Sequence, residues 1–280
     1  MRIGFFGPEG TFTHEAMLAA TEGWTVEPIP LQTIYDAVQA VQGDAVERAL
    51  VPIENAIEGS VDATLDALAL ESRDVVIVGE VVHPIRQRLI AREPLNLEQV
   101  EVVVSHPQAM AQCARFLRTR LPQASVMAGG STAEAVRTVV ARSEPWAALG
   151  NRAAAELYGG VVLCDGVEDV PGNETRFAWL GRRHDRGAAT ADGGAWKTAL
   201  VFWGAGSETP GWLVRCLAEF ARREVNLTRI ESRPRRQGMG RYMFFVDLEG
   251  HESETRVSEA LSALRTHVEV LRVLGSFPAA

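Results

Sequence analysis

The sequence has few cysteines and almost no lysine. Cys113, Cys164 and Cys216 lie far apart in a chain of 280 residues, and no Cys-x-x-Cys pair is present. This pattern argues against a disulfide scaffold or a cysteine-rich zinc site and fits a reducing compartment. Lys197 is the only lysine among 28 basic residues, which face 36 acidic ones. The resulting net charge of −8 excludes the overall basic field that would attract nucleic acid or an anionic membrane.

Long apolar runs and a targeting segment are also missing. No stretch approaches the roughly 18 uninterrupted apolar residues that a membrane-spanning helix needs. The N-terminal run Met1 to Phe6 enters a turn at Gly7 without the charged and then apolar pattern of a signal peptide. These features predict a cytoplasmic protein without membrane partners.

Composition and length predict a folded protein of two domains. Hydrophobic residues make up 46% and charged residues 23% of the chain, which is typical of globular proteins. The segment 182–196 is rich in glycine, alanine and mixed charges, so we expect a flexible linker there. It separates a domain at 1–181 from a domain at 197–280.

The first domain alternates short apolar runs with amphipathic segments. Strands are predicted at 2–6, 48–52, 75–82, 100–105, 124–128, 146–150 and 161–165. Helices are predicted at 13–20, 33–41, 60–69, 107–120, 131–141 and 152–158, with Ser60 as the N-cap of the third. The repeated β-turn-α order predicts an α/β fold with mainly parallel sheets. The strand at 75–83 is a candidate connection between two lobes, which the pattern by itself does not establish.

The second domain has the pattern β-α-β-β-α-β. Strands are predicted at 198–203, 227–232, 242–248 and 268–275, and helices at 211–223 and 254–267. This is the element order of the ferredoxin-like split βαβ motif. The motif by itself says little about function.

Polar motifs follow several predicted strands and open helices. The motif at 7–11 is either a plain turn or an anion site formed by helix N-terminal amides. The motif at 52–60 places carboxylates, an amide and a hydroxyl at the carboxyl end of a strand, where open α/β sheets keep their ligand crevice. At 105–112, His106 is a candidate base or a structural histidine. Capping is a sufficient explanation for the helix start at 131–132.

The motif Gly-Asn-Glu-Thr-Arg-Phe at 172–177 pairs a neutral hydroxyl with an arginine. Such a pair suits an anionic substrate, since arginine binds carboxylates bidentately. Metal-ligand spacing, a nucleotide loop and a Gly-x-Ser-x-Gly elbow are absent from the sequence. We therefore expect a cleft that binds a small anion without a metal or cofactor.

Five motifs together resemble the prephenate dehydratase family. They are GPEGTFTHEA at 7–16, VPIENAIEGSV at 51–61, SHPQAMAQC at 105–113, GNETRF at 172–177 and NLTRIESRP at 226–234. The last resembles the regulatory ACT domain attached to that enzyme. The resemblance implies a monofunctional, cofactor-free carbon-oxygen lyase that converts prephenate to phenylpyruvate in phenylalanine biosynthesis. It also implies a catalytic domain of two lobes, similar to periplasmic binding proteins, with the active site between them.

The resemblance implies roles for individual residues. Thr175 matches the family's essential threonine and is expected to donate a hydrogen bond to the leaving hydroxyl, with Glu54 and Asn55 as further catalytic residues. Arg176 is expected to hold a substrate carboxylate or to fix the loop, and Phe177 to pack beneath the site. Further substrate contacts are expected from Thr11, Ser60, Ser105, Gln112 and Thr132.

The ACT resemblance implies phenylalanine as an effector. The family's Glu-Ser-Arg-Pro motif is intact at 231–234, but its Gly-Ala-Leu-Val motif reads Gly-Trp-Leu-Val at 211–214. An inward Trp212 ring would fill space that phenylalanine uses, whereas an outward ring would pack at a subunit interface. The family's pairing of ACT domains implies a homodimer or a dimer of dimers. Effector contacts are expected from Gly211, Leu213, Asn226, Leu227, Glu231 and Ser232.

Two alternatives stay open at this point. Arogenate, which carries an amine where prephenate has a ketone, is a second candidate substrate. A non-catalytic sensor of small anions or amino acids is the other alternative, and the intact Thr175-Arg176-Phe177 motif favours the enzyme.

Overall fold

The structure is a computed structural model that describes residues 1–72, 74–183, 194–204 and 206–280. Most of the predicted linker at 182–196 lies outside the described residues. In chain order, the strands are β1 (Arg2–Phe6), β2 (Glu27–Leu31), β3 (Arg48–Asn55), β4 (Gly59–Ser60), β5 (Val75–Pro84), β6 (Arg88–Ala91), β7 (Val102–Ser105), β8 (Ser125–Ala128), β9 (Trp146–Gly150), β10 (Val161–Asp165), β11 (Glu174–Arg182), β12 (Trp196–Trp203), β13 (Leu227–Pro234), β14 (Tyr242–Glu249) and β15 (Val270–Pro278). The α-helices are α1 (Phe12–Ala20), α2 (Ile34–Gln42), α3 (Asp62–Asp66), α4 (Pro107–Gln112), α5 (Ala114–Arg120), α6 (Thr132–Val140), α7 (Arg152–Tyr158), α8 (Trp212–Ala221) and α9 (Thr255–Leu264).

The first domain consists of two lobes, each built on its own sheet. The first lobe has the strand order β2-β1-β3-β11-β5, with β4 beside β3, and the second has the order β10-β6-β9-β7-β8. Both sheets are mixed, because β11 runs antiparallel to β3 and β5 and because β6 runs antiparallel to β9 and β10. The expected α/β fold with two lobes is confirmed, but the expectation of mainly parallel sheets was wrong.

The chain crosses between the lobes twice, after β5 and again after β10. The two crossovers are hydrogen-bonded to each other: Val167 N donates to Gln87 O at 3.0 Å, and Gln87 N donates to Glu168 Oε2 at 2.9 Å. Ile85 N donates to Asn173 O at 2.8 Å. These bonds fix the backbone at the base of the cleft between the lobes.

The C-terminal domain has the predicted order β-α-β-β-α-β and a sheet of order β13-β14-β12-β15. Residues along β12 alternate between its two faces. Leu200 and Phe202 pack under α8 and α9, whereas Ala199 and Val201 pack against the first lobe. At Gly275, an added Cβ would meet Ile77 O at 2.1 Å, so β15 can approach β5 this closely only with glycine.

Several elements differ from the expectations. The helix predicted at 107–120 breaks at Cys113 into α4 and α5. The helix predicted at 60–69 begins at Asp62 without a side-chain cap, and Ser60 belongs to β4 instead, so the expected Ser60 cap was wrong. Strand β2, with the sequence EPIPL, was not predicted because prolines argue against a strand. The two prolines are tolerated because β2 is an edge strand.

Candidate active site

A cleft of about 690 Å³ lies between the two lobes. It lies where β3, β11 and the loop after β1 meet the starts of α4 and α6, so its walls come from strand ends and helix N-termini. Its lining includes Thr11, Pro52, Asn55, Gln87, His106, Gln112, Ser131, Thr132, Arg137, Thr175 and Phe177. Of the described residues whose substrate contact was expected, Thr11, Asn55, Gln112, Thr132, Thr175 and Phe177 line this cleft.

Thr175 and Asn55 form a hydrogen-bonded pair in the cleft. They are direct partners in the register of β11 and β3, and Asn55 Nδ2 donates to Thr175 Oγ1 at 2.9 Å. Asn55 Oδ1 accepts from the backbone amides of Ile57 and Glu58, both at 3.0 Å, which fixes the side chain. Since a hydroxyl carries one donor and two acceptor sites, this bond occupies an acceptor site of Thr175 and leaves its proton for another group.

Arg176 and Glu54 lie on the opposite face of the same strands. Arg176 binds three carboxylates: Glu54 Oε2 at 2.9 Å, Glu80 Oε2 at 3.1 Å and Asp247 Oδ2 at 2.7 Å. Burial disfavours the charged guanidinium, but Asp247 and Glu54 outweigh this cost and raise the pKa of Arg176 above its ordinary value. Successive strand residues point to opposite faces. This placement corrects the expectations that Arg176 holds a substrate carboxylate and that Glu54 contacts the reacting groups.

Ser105 and Ser60 are also removed from the cleft. Ser105 is fully buried, and its Oγ donates to Leu149 O at 2.9 Å, which links β7 to β9. Ser60 lies between the first lobe and the C-terminal domain, where its Oγ donates to Glu231 Oε2 at 3.3 Å and accepts from Arg229 Nη1 at 3.2 Å. Both expected substrate contacts are therefore structural contacts.

The other expected cleft residues are held in place by hydrogen bonds, by a helix start or by packing. Thr11 caps α1 by accepting from His14 N at 3.3 Å, and its hydroxyl donates to Phe6 O at 3.2 Å. Thr132 opens α6, whose N-cap is Ser131. Gln112 Nε2 donates across the cleft to Glu58 Oε1 at 3.4 Å. Phe177 is 1% exposed and packs in the cluster that contains Phe5 and Trp179.

Several cleft residues, among them Gln87 and Arg137, were not predicted. Gln87 lies on a crossover whose course depends on contacts between distant segments, and no local pattern marks it. Arg137 is on α6, the helix that opens at the polar pair Ser131-Thr132. Arg137 is the only basic residue of α6, and that is the sequence signal that marks it.

The expected effector residues lie in several parts of the C-terminal domain. Gly211 is the N-cap of α8 with φ of 77°, and Leu213 is half-buried. Asn226 Nδ2 donates to Glu249 Oε1 at 3.1 Å, and Leu227 begins β13. Residues of β13 alternate in exposure, so the half-buried Glu231 faces the first lobe while Ser232 is exposed on the other face.

Trp212 points into the core of its own domain. It is 4% exposed, and its ring centroid lies 6.0 Å from that of Phe202 and 5.8 Å from that of Phe244. Its Nε1 donates to His267 O at 2.8 Å. The ring packs between helix and sheet among core residues of its own domain, which excludes the outward orientation. Its expected competition with phenylalanine stays a prediction.

None of the described helices is long and apolar enough to cross a membrane. Within the described ranges, no group of three or more histidine, cysteine, aspartate or glutamate side chains is arranged to hold a metal ion.

The fold and the cleft define a class of protein in which a two-lobed, small-molecule-binding domain is joined to a ferredoxin-like βαββαβ domain. The sequence profile described as "Prephenate dehydratase" matches residues 3–185, and that of the ACT domain matches residues 207–266. The chain belongs to the prephenate dehydratase family, as the motifs predicted.

Individual relatives match over nearly the whole chain. A prephenate dehydratase from Amycolatopsis methanolica is 39% identical over 279 residues, which cover 99% of this chain and 88% of the relative. The crystal structure of the Arthrobacter aurescens prephenate dehydratase in complex with L-Phe is 35% identical with a TM-score of 0.89 and covers 99% of this chain and 90% of that one. A second structure, of GqqA, described as a novel type of quorum quenching acylase, is 30% identical with a TM-score of 0.86, covering 100% and 98%.

Proposed function

We propose that this protein is a prephenate dehydratase, which converts prephenate to phenylpyruvate, carbon dioxide and water. A fold alone does not fix a reaction, and one neighbour of similar fold is described as an acylase. The observation that carries the proposal is the Thr175 hydroxyl, which Asn55 holds in the cleft at 2.9 Å. It lies in the Thr-Arg-Phe motif of a chain that the family profile matches at 3–185.

The reaction depends more on how the substrate is positioned than on chemical activation by the protein. In prephenate the C–C bond to the ring carboxylate breaks, its electron pair enters the ring, and the C–O bond opposite breaks as the ring becomes aromatic. The hydroxyl leaves with its electron pair and needs a proton to become water. Thr175 is too weak an acid to transfer that proton fully, so its role is to donate a hydrogen bond to the departing oxygen, which takes its proton from solvent. Asn55 holds the threonine oxygen in place, and the cleft orients the substrate.

Incubation with prephenate tests the activity directly. Phenylpyruvate, followed by its absorbance, is the expected product, and arogenate is assayed in parallel. Faster formation of phenylalanine from arogenate would favour the alternative substrate. No product from either substrate would overturn the proposal in favour of a non-catalytic sensor.

We further propose that phenylalanine inhibits the enzyme through the C-terminal domain. The related Arthrobacter aurescens structure contains L-Phe, and the motif at 231–234 is intact here. Glu231 contacts Ser60, and Ser60 is the register partner of Glu54, the residue before Asn55. A change at Glu231 is thus connected to the cleft through two paired strands.

Phenylalanine at millimolar concentration is therefore expected to lower the activity and to bind with more heat than tyrosine or tryptophan in isothermal titration. Trp212 packs in the domain core, so we expect Trp212→Phe to keep the response. Trp212→Ala would test stability instead, because removing a buried tryptophan costs about 3–5 kcal/mol. The absence of both heat and inhibition with the wild-type protein would contradict the proposal.

We propose that the protein forms a homodimer or a dimer of dimers in the cytoplasm. Strand β13 is an edge strand of its sheet and carries the exposed Ile230. An edge strand offers unpaired backbone groups to a second chain. Light scattering after size-exclusion chromatography measures the assembly.

A further inference from the structure

The proposed substrate is a dianion, so its carboxylates need partners in the cleft. Arg176 is not available, because three carboxylates surround it on the opposite face of β11. Among the described residues that line the cleft, Arg137 is the only arginine or lysine, and Glu134 is the only acidic residue. The charged side chains that line the cleft therefore both come from α6.

Arg137 lies in the last turn of α6 and lines the cleft together with Ser131 and Thr132 from the start of that helix. Side chains on a helix tilt toward its N-terminus, which is the direction of Ser131 and Thr132. Arg137 is exposed, and no carboxylate of the described residues is paired with it. Arg137 also acts electrostatically on Tyr158. Burial raises the pKa of the Tyr158 hydroxyl, and the positive charge of Arg137 opposes that rise. Tyr158 in turn donates to Glu9 O at 2.9 Å, so Arg137 lies near the point where the motif at 7–11 meets the second lobe.

Gln87 offers an unused hydrogen-bond acceptor in the same cleft. Gln87 is among the residues that line the cleft, although it is only 3% exposed, and its buried Oε1 has no partner among the described residues. The backbone of Gln87 is fixed by bonds to Val167 and Glu168 on the second crossover. A buried polar atom without a partner costs free energy, so the position favours a ligand that brings a donor.

We propose that Arg137 and Gln87 determine which substrates the cleft accepts: Arg137 pairs with a substrate carboxylate, and Gln87 Oε1 accepts a hydrogen bond from the substrate hydroxyl. This inference rests on the proposed function. Prephenate carries its carboxylates on one side of the ring and its only hydroxyl donor on the opposite side. Arg137 on α6 and Gln87 on the crossover belong to different elements of the cleft wall. Thr175 follows the other crossover, which Ile85 and Asn173 join to that of Gln87 at 2.8 Å, so the hydroxyl end of the substrate belongs at the crossovers.

Arg137→Gln tests the carboxylate contact. The KM for prephenate is expected to rise about tenfold or more with kcat nearly unchanged, because hydrogen bonds between charged groups contribute more than neutral ones. Arg118→Gln is the matched control, since it removes the same charge from an exposed position of α5 on the same lobe. Titration of prephenate into Thr175→Ala, alone and combined with Arg137→Gln or with Arg118→Gln, measures binding without turnover. Equal KM and equal affinity in the Arg137 and Arg118 variants would overturn the assignment.

Gln87→Leu tests the second contact and separates it from a structural role. The buried Oε1 of Gln87 is unpaired, so an apolar side chain in its place removes a desolvation cost. Tm is therefore expected to stay the same or rise while kcat/KM falls about tenfold. A fall in Tm with unchanged kcat/KM would show a structural glutamine and overturn the inference. The wild-type assay separates the two proposals: if the wild type forms no phenylpyruvate, the proposed function fails. If it does and the variants behave like Arg118→Gln, only this inference fails.

Discussion

Replacing Thr175 by alanine is expected to lower kcat for prephenate about 10²-fold or more, since one positioned proton donor contributes about that much. The fold should remain, because Asn55 keeps its bonds to Asn173 Oδ1 at 2.9 Å and to Glu174 O at 3.1 Å when the hydroxyl is removed. Steady-state kinetics with prephenate and thermal unfolding by circular dichroism measure the two parts of this expectation.

Thr175→Ser is the matched control, because it keeps the hydroxyl and removes only a methyl group. Its kcat should lie at least about tenfold above that of the alanine variant. If Thr175→Ala kept more than about a tenth of the wild-type kcat, the threonine would not be the donor to the leaving hydroxyl.

Replacing Asp247 by alanine is expected to destabilise the protein by about 3–5 kcal/mol, the usual cost of removing one partner of a buried ion pair. The Asp247 side chain is 2% exposed and binds Arg176 at 2.7 Å and Arg229 at 3.0 Å. Its loss would leave two buried guanidinium groups without this partner. Chemical denaturation measures the free energy of unfolding.

The control for this variant is Glu259→Ala, which removes an exposed carboxylate from α9 in the same domain and should change the stability by about 0.5 kcal/mol at most. Burial disfavours the Asp247 carboxylate, but Arg229 and Arg176 outweigh it and hold its pKa below the ordinary value. The stabilisation is therefore present above the unfolded pKa of about 3.9 and is lost as the pH falls below it. A destabilisation equal to that of the control would show that the ion pairs contribute nothing.

The fold was largely predictable because its periodicities are local. Strand β9 and helix α7 match the predicted 146–150 and 152–158. Strand β6 was missed because Arg88-Leu-Ile-Ala is short and fully buried on both faces, so it shows no alternation. Its neighbours β9 and β10 come from distant parts of the chain.

The site was predictable in its motifs but not in the direction of each side chain. Thr175, Arg176 and Phe177 form one motif in the sequence, yet they alternate along β11, so that only the first and third line the cleft. If a strand had been predicted from residue 174 onward, the alternation of its side chains would have placed Arg176 on the face opposite to Thr175 and Phe177. The positions of Ser60 and Ser105 could not be predicted, because they depend on Glu231, Arg229 and Leu149.

The packing of β11 and β5 against the C-terminal sheet bears on how freely these two domains can be recombined. Ala178, Leu180 and Ile77 share one hydrophobic cluster with Val201 and Phe245 of the C-terminal domain. A fragment ending at residue 183 would expose this apolar face to water and would leave Arg176 with Glu54 and Glu80 but without Asp247. Exposed apolar patches of this kind promote aggregation. The catalytic domain is therefore not an interchangeable module: to stand alone, it would need a new polar surface on the back of the strands that carry Thr175 and Asn55.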